Sequence, residues 1–180
     1  MGTKSTKLLT LIISAGMECI ILVYGKGEHV IYNGLEICLV GETVRRNFDG
    51  ISEKEYITLY PAELKTTVYV PMEKCSEMLR PVPSRENLLS LIDMMPSVGD
   101  MDVDFSEAVK SGDHKAIVSV MSTIYNKGVD REKSGKHLLK TDRRNFESAK
   151  KLIDGEIALA FGIKADEAER FIADRLAKRI

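Results

Sequence analysis

The sequence contains no tryptophan, and it has only three cysteines and three histidines among its 180 residues. Cys19, Cys38 and Cys75 are odd in number and widely spaced, and no Cys-x-x-Cys motif or neighbouring histidine completes a metal site. This pattern excludes a disulfide framework and predicts that each thiol is a small buried side chain. It favours a reducing, cytoplasmic location.

Catalytic signatures are also missing. The chain has no glycine-rich phosphate loop, no Gly-x-Ser-x-Gly and no His-Glu-x-x-His, and His29, His114 and His137 are scattered along it. We therefore expect no enzymatic activity, cofactor, metal or small-molecule substrate. One enzymatic alternative stays open, in which a distant histidine activates Cys75.

The charge balance is close to neutral, with 26 basic and 27 acidic side chains. This balance excludes long-range attraction of the whole chain to nucleic acid, so any basic surface must be local. The hydrophobic content of 44% is sufficient for packed cores in one ordinary domain or two small ones. No repeat or low-complexity tract is present, which excludes a solenoid or a disordered-tail function.

Residues 1–23 are read as an N-terminal extension. Lys4 and Lys7 precede the apolar run Leu8–Ile13, which has the outline of a secretory signal, but Glu18 and a second apolar run interrupt that outline. The segment is too short for a membrane span, and we expect no membrane partner. Export, a start-site extension and a disordered N-terminal arm stay open, as does packing of part of the segment as an extra strand.

Short β-prone runs alternate with turn residues between residues 24 and 78. These runs are 28–32, 35–40, 56–59 and 66–70, with a polar connection at 45–54. Asn33-Gly34, between two apolar runs, predicts a hairpin. Four or five short strands cannot make a large sheet, so we expect a small antiparallel β-barrel.

From Ser84 onward the apolar residues recur with a helical period. The predicted helix N-caps are Ser84, Asp102 or Asp104, and Asp113; Thr141 is the predicted start of a long helix, and Gly128 and Gly162 are predicted helix ends. A last helix is expected from about Ala165 to the C-terminus. Residues 84–180 therefore predict a bundle of about five helices.

Residues 79–83, Leu-Arg-Pro-Val-Pro, lie between the two regions. Two prolines fix an extended path and prevent a continuous helix, which predicts a short, stiff joint. The sequence thus predicts an α+β protein with a small β-barrel at 24–78 and a helical domain at 84–180.

Several motifs, taken in order, resemble the CarD/CdnL family of bacterial transcription regulators. They are residues 27–32 followed by Gly34, the strand end at 68–71, Leu79-Arg80-Pro81, Ser111-Gly112-Asp113, and Asp-Gly-Glu-Ile-Ala-Leu-Ala at 154–160. The last motif, followed by Gly162-Ile163 and an acidic stretch at 166–169, is the most specific. The resemblance covers residues 25–180.

The resemblance implies a Tudor-like first domain, shared with the polymerase-interaction domain of the transcription-repair coupling factor. In the family this domain docks on the RNA polymerase β subunit, partly by pairing of sheet edges. By position the contact is expected at Arg45 or Arg46 and along the strand that follows. That strand comprises Thr67, Val68, Tyr69 and Val70, of which Tyr69 stands about where relatives carry an arginine. An ordinary solvated loop is the alternative for the two arginines.

The resemblance also implies that the helical domain lies on promoter DNA and modulates the stability of the open complex. Family members place a tryptophan wedge at the minor-groove edge, whereas this chain has none; Val98 and Met101 lie in the equivalent stretch as apolar substitutes. Residues 84–113 hold two basic and seven acidic side chains, a balance that repels phosphate. Wedge contact is therefore disfavoured.

A compensating basic stretch follows at residues 126–151, with nine basic and four acidic side chains. It predicts a phosphate-binding surface; the candidate DNA-binding residues are Lys136, Lys140, Arg143, Arg144, Lys150 and Lys151. A solvated helix face is the alternative. Three functions stay open: a polymerase-bound regulator that contacts DNA, a polymerase adaptor whose helical domain binds a protein, and an exported or thiol-dependent enzyme.

Overall fold

The structure, a computed structural model, describes residues 7–13, 17–62, 65–95 and 104–178, with side chains described from Tyr24 onward. The chain combines β-strands and α-helices, as the sequence predicts. It divides into two compact units, residues 1–81 and 82–180. Each unit is described by itself below.

The first unit holds all the described strands. They are β1 Lys7–Ile13, β2 Met17–Val23, β3 His29–Tyr32, β4 Glu36–Arg46, β5 Lys54–Pro61, β6 Val68–Pro71 and β7 Leu79–Pro81. A 3-10 turn and a short helix, α1 Cys75–Met78, connect β6 to β7. The structure thus makes β4 and β5 longer than the sequence predicts: β4 adds residues 41–46, β5 adds 54, 55, 60 and 61, and both ends of the polar segment 45–54 lie in strands.

Strands β1 and β2 pair with each other in an antiparallel, two-stranded sheet, from Lys7 opposite Val23 to Ile13 opposite Met17. The N-terminal extension therefore forms its own hairpin, and neither strand is added to the larger sheet.

The larger sheet has five antiparallel strands in the order β6-β5-β4-β3-β7. Asn33 and Gly34 both have positive φ, 48° and 76°, which confirms the predicted hairpin between β3 and β4. Leu79–Pro81, predicted as part of the joint, forms β7 and pairs with β3. Among the described strands no pairing joins β6 to β7, so the sheet is open and the expected closed barrel is not seen.

One face of this sheet carries the core of the first unit. Side chains alternate between faces along a strand, so Ile57 and Leu59 of β5 face the core while Tyr56, Thr58 and Tyr60 face the other side. The core residues are Tyr24, Val30, Cys38, Val40, Ile57, Leu59, Val70, Cys75 and Leu79. The opposite face is called the outer face below.

Strand β4 contains a β-bulge next to Gly41. Val40 pairs with Leu59, but the next pair is Thr43 with Ile57. Two residues of β4 therefore lie between these pairs, against one residue of β5. The hydroxyl of Thr58 donates to the carbonyl of Glu42 at 2.8 Å and closes the bulge. A Cβ at Gly41 would overlap Thr58 Oγ1 and lie 2.6 Å from the Tyr60 ring, so only glycine fits.

The second unit is helical. Its helices are α2 Arg85–Met94, α3 Phe105–Ser111, α4 His114–Lys133, α5 Lys140–Phe161 and α6 Ala168–Ala177, with a 3-10 turn at Ala165–Glu167. The side chains of Ser84, Asp104 and Asp113 accept backbone N–H bonds at the starts of α2, α3 and α4, which confirms these N-caps. Gly162, with φ of 69°, ends α5 as predicted.

Two predicted boundaries are wrong. Helix α4 continues past Gly128 to Lys133, because a single glycine in a helix interior costs only about 1 kcal/mol, and Leu138 packs close to it, with its Cδ1 3.8 Å from where a Cβ would lie. Helix α5 begins at Lys140, one residue before Thr141; its N-cap is Leu139, and no side chain caps it.

Apolar side chains from α2, α4, α5 and α6 form a core in the second unit. Its buried members are Leu88, Leu91, Ile92, Val118, Ile153, Ile157 and Ala168. Arg175 of α6 donates two hydrogen bonds of 2.8 Å to the Asp93 carboxylate, which ties α6 to α2. His114 Nε2 lies 2.7 Å from Oε2 of the fully buried Glu156, which links α4 to α5.

We expect Gly41→Ala to lower the free energy of unfolding by about 1–3 kcal/mol, because the new methyl group overpacks Thr58 and Tyr60. Urea denaturation measures the change. Gly25→Ala is the matched control: its Cβ would meet only Glu28, at ordinary contact distances of 3.7 Å or more, and should change stability by less than about 0.5 kcal/mol. Equal effects of the two substitutions would contradict the packing explanation.

We expect His114→Ala to lower the free energy of unfolding by about 1.5–3 kcal/mol, since it removes a hydrogen-bond partner from the buried Glu156 carboxyl. His137→Ala, at an exposed loop position, serves as the control and should be nearly neutral. Thermal or chemical unfolding of the two variants tests this, and a neutral His114→Ala would show that the pair contributes no net stability.

Candidate interaction surfaces

Strand β6 lies at one end of the five-stranded sheet and pairs only with β5, from Leu59 opposite Val68 to Tyr56 opposite Pro71. Its second edge makes no described strand pairing, so its outward main-chain groups are available to an extended partner segment. We call β6 together with the preceding Thr67 the docking edge. The sequence predicts this strand as a contact, and the structure places it at an edge.

The four predicted residues of the docking edge have different environments. Thr67 is exposed, Val68 is half-buried, and Tyr69 is 40% exposed on the outer face opposite Thr58. Val70, however, points into the core and is almost fully buried. Its side chain cannot reach a partner, so Val70 contributes only main-chain groups to any contact.

The two candidate arginines at the end of β4 lie on opposite faces of the sheet. The Arg45 guanidinium donates to Oε1 of Glu55, the residue opposite it on β5, at 3.0 and 2.9 Å. Arg46 lies on the outer face opposite Lys54, and within the described chain it makes no ion pair. Arg46 is therefore the arginine that remains free to bind an anionic group.

Sequence reasoning misses an aromatic cluster on the outer face. Phe48, in the turn after β4, packs edge-on against Tyr56 of β5, with ring centroids 5.0 Å apart, and against Tyr69 of β6 at 5.3 Å. Tyr56 is nearly buried while Phe48 is 60% exposed. The sequence holds no periodic signal for this cluster, because its three members come from two strands and a turn.

The second surface lies where α4 and α5 meet. Residues 131–144 contain six basic and two acidic side chains. We call the six basic residues the basic turn: Arg131, Lys133, Lys136, Lys140, Arg143 and Arg144. Two hydrogen bonds hold the connecting loop. The Arg131 guanidinium donates to the His137 carbonyl at 3.2 Å, and the backbone N–H of Lys136 donates to the Arg131 carbonyl at 2.8 Å.

The structure divides the predicted DNA-binding residues into two groups. Lys136, Lys140, Arg143 and Arg144 belong to the basic turn and are exposed. Lys150 lies ten residues after Lys140 and six after Arg144 on α5, about 15 and 9 Å at 1.5 Å per residue, and Lys151 follows it. Lys150 Nζ lies 2.6 Å from Asp154 and 3.3 Å from Glu169, and the hydrogen bond to Asp154 is the main cause that raises the pKa of Lys150. Lys150 is thus already engaged within the protein.

The residues predicted for a wedge, Val98 and Met101, lie outside the described residues. Within the described ranges, no group of three or more histidine, cysteine or acidic side chains could hold a metal ion.

Burial raises the pKa of the Cys75 thiol, and burial with the nearby Glu36 raises that of Cys38 to about 11. The Cys75 thiol of the enzymatic alternative therefore stays protonated at neutral pH.

None of the helices in the described part of the chain is long and apolar enough to cross a bilayer.

Comparison of the chain with protein-family models and with curated proteins finds no match.

Proposed function

We propose that this protein is a cytoplasmic transcription regulator of the CarD/CdnL type, which binds the RNA polymerase β subunit and modulates the stability of the promoter open complex. The proposal takes the first unit as a Tudor-like module, on the resemblance of residues 25–180. The observation that carries it is the docking edge, unpaired among the described strands, in a sheet whose outer face also carries the unpaired Arg46 of β4, two strands away. An unpaired edge with a defined outer face suits pairing with a strand of the β subunit.

Electrostatics on the outer face support a partner with acidic groups. Arg46 and Lys54 lie directly opposite each other, and like charges in this position repel. Lys54 has Asp49 at 3.8 Å, but Arg46 forms no ion pair with the described side chains. A carboxylate of the partner beside Arg46 would relieve this repulsion and would orient the bound strand.

The basic turn supports contact with DNA by the helical unit. Six basic side chains flank one loop whose main chain is held by internal hydrogen bonds, so the backbone that carries them is restrained before binding. Asp113, the acidic cap of α4, lies at the other end of that helix, about 30 Å away for a helix of 20 residues. The basic turn can therefore contact DNA phosphates while the acidic N-terminal end of α4 stays away from them.

A protein partner for the helical unit is the second candidate. The acidic excess in residues 84–113 and the missing tryptophan favour it, because both weaken the family's mode of DNA contact. The two candidates differ in one measurable property, the salt dependence of DNA affinity.

We expect the full chain to bind a purified β-lobe fragment of RNA polymerase and Arg46→Glu to weaken this binding about tenfold, since it replaces the unpaired cation by an anion. Titration by biolayer interferometry measures both affinities. Lys110→Glu, an equal charge change at an exposed site of the second unit, should leave the affinity unchanged. Absence of wild-type binding would overturn the polymerase proposal.

For duplex promoter DNA, we expect the logarithm of the binding constant to fall linearly with the logarithm of salt concentration. Lys140→Gln/Arg144→Gln should reduce the magnitude of this slope by about 2, because two phosphate contacts are lost. Lys150→Gln is the control and should leave the slope unchanged, since Lys150 is engaged by Asp154 and Glu169. Salt-independent or undetectable binding would favour the protein-binding candidate.

A further inference from the structure

The turn between β4 and β5 carries two exposed large apolar side chains beside the docking edge. Phe48 is 60% exposed and Ile51 is 87% exposed. Single exposed apolar residues are common on protein surfaces, so exposure alone identifies no site. Phe48 differs from Ile51 in how its side chain is held.

The Phe48 ring packs against two tyrosines. It meets Tyr56 at an interplanar angle of 79° and Tyr69 at 60°, both in the edge-on arrangement that aromatic pairs prefer. Tyr56 is nearly buried and cannot move freely, while Tyr69 belongs to the docking edge itself. Phe48 therefore loses little rotational freedom when a partner covers its exposed face.

The backbone of the turn is also restrained. Asp49 Oδ1 accepts the N–H groups of Ile51 at 2.9 Å and Ser52 at 3.1 Å, and these two bonds are the main cause that lowers the pKa of Asp49. Gly50 supplies the positive φ of 74° that the turn requires. The side chain of Phe48 is thus presented from a turn of fixed geometry.

We propose that Phe48 is the specificity-determining anchor of the docking edge: an extended segment of the partner protein pairs with β6 and buries the Phe48 ring under an apolar side chain. This inference rests on the proposed polymerase binding and names a residue outside the contact expected from the family resemblance. Aromatic side chains held in place before binding are the type that dominates binding energy at protein interfaces. Because Phe48 contacts Tyr69, one partner strand can cover both the edge and the ring.

The charges beside Phe48 favour a different protein over a second copy of this chain as the occupant. In a symmetric contact through β6 the two copies of the strand would run antiparallel, so the Arg46 and Lys54 of each copy would lie toward the Thr67 end of the other copy's strand, where residues 65–68 bring no acidic side chain. Neither pair of cations would gain an anionic partner. A partner strand with an acidic side chain adds attraction instead.

The test measures binding of the β-lobe fragment of RNA polymerase to the full chain and three variants. We expect Phe48→Ala to weaken binding about 30-fold, the effect of a central aromatic anchor. Phe48→Tyr keeps the ring and should retain affinity within about threefold. Ile51→Ala, in the same turn and more exposed, should leave affinity unchanged, because no described aromatic contact holds it.

Circular dichroism and thermal unfolding establish that each variant folds. If the wild type binds and folded Phe48→Ala binds equally well, the proposed role of Phe48 is wrong while the proposed polymerase binding stands. If the wild type does not bind, both the role of Phe48 and the polymerase binding are wrong. Sedimentation supplies the last outcome: dimers of the wild type that Phe48→Ala dissociates, with β-lobe binding unchanged, would make a second copy the occupant and overturn the inference.

Discussion

Strand β4 contributes one residue more than β5 between two successive strand pairs, and the composition of the outer face follows from that extra residue. Without the bulge, continuous alternation from Val40 would turn Arg46 to the core side and Arg45 to the outer face. The bulge reverses this order, so that Arg45 meets Glu55 and Arg46 lies on the face that carries Tyr56. It persists because Gly41 admits the close approach of Thr58 and Tyr60.

Local signals in the sequence predict much of the fold. The Asn33-Gly34 turn and the caps at Ser84, Asp104 and Asp113 are formed by residues close in sequence, and the structure confirms them. Features that depend on tertiary pairing are missed. Leu79–Pro81 becomes a strand because β3 offers an edge, and α4 continues through Gly128, where one glycine costs only about 1 kcal/mol and Leu138 packs beside it.

The same division between local and tertiary signals applies to the docking edge and the basic turn. The sequence identifies β6 and the basic stretch around Lys140, because a β-prone run and a charge excess are local properties. It cannot show that Arg45 and Lys150 are engaged by Glu55 and Asp154, since each pairing depends on which side chains the fold brings opposite one another. The cluster of Phe48 with two tyrosines is hidden for the same reason.

Strand β6 ends in Pro71, which has no N–H group, and it has only four residues. A partner strand can therefore form few main-chain hydrogen bonds along it, and side chains must supply most of the binding energy. Associations of this kind differ mainly in their dissociation rates. A short edge closed by proline would keep the residence time of a bound partner brief and sensitive to single side chains, and it would resist the growth of extended sheet aggregates.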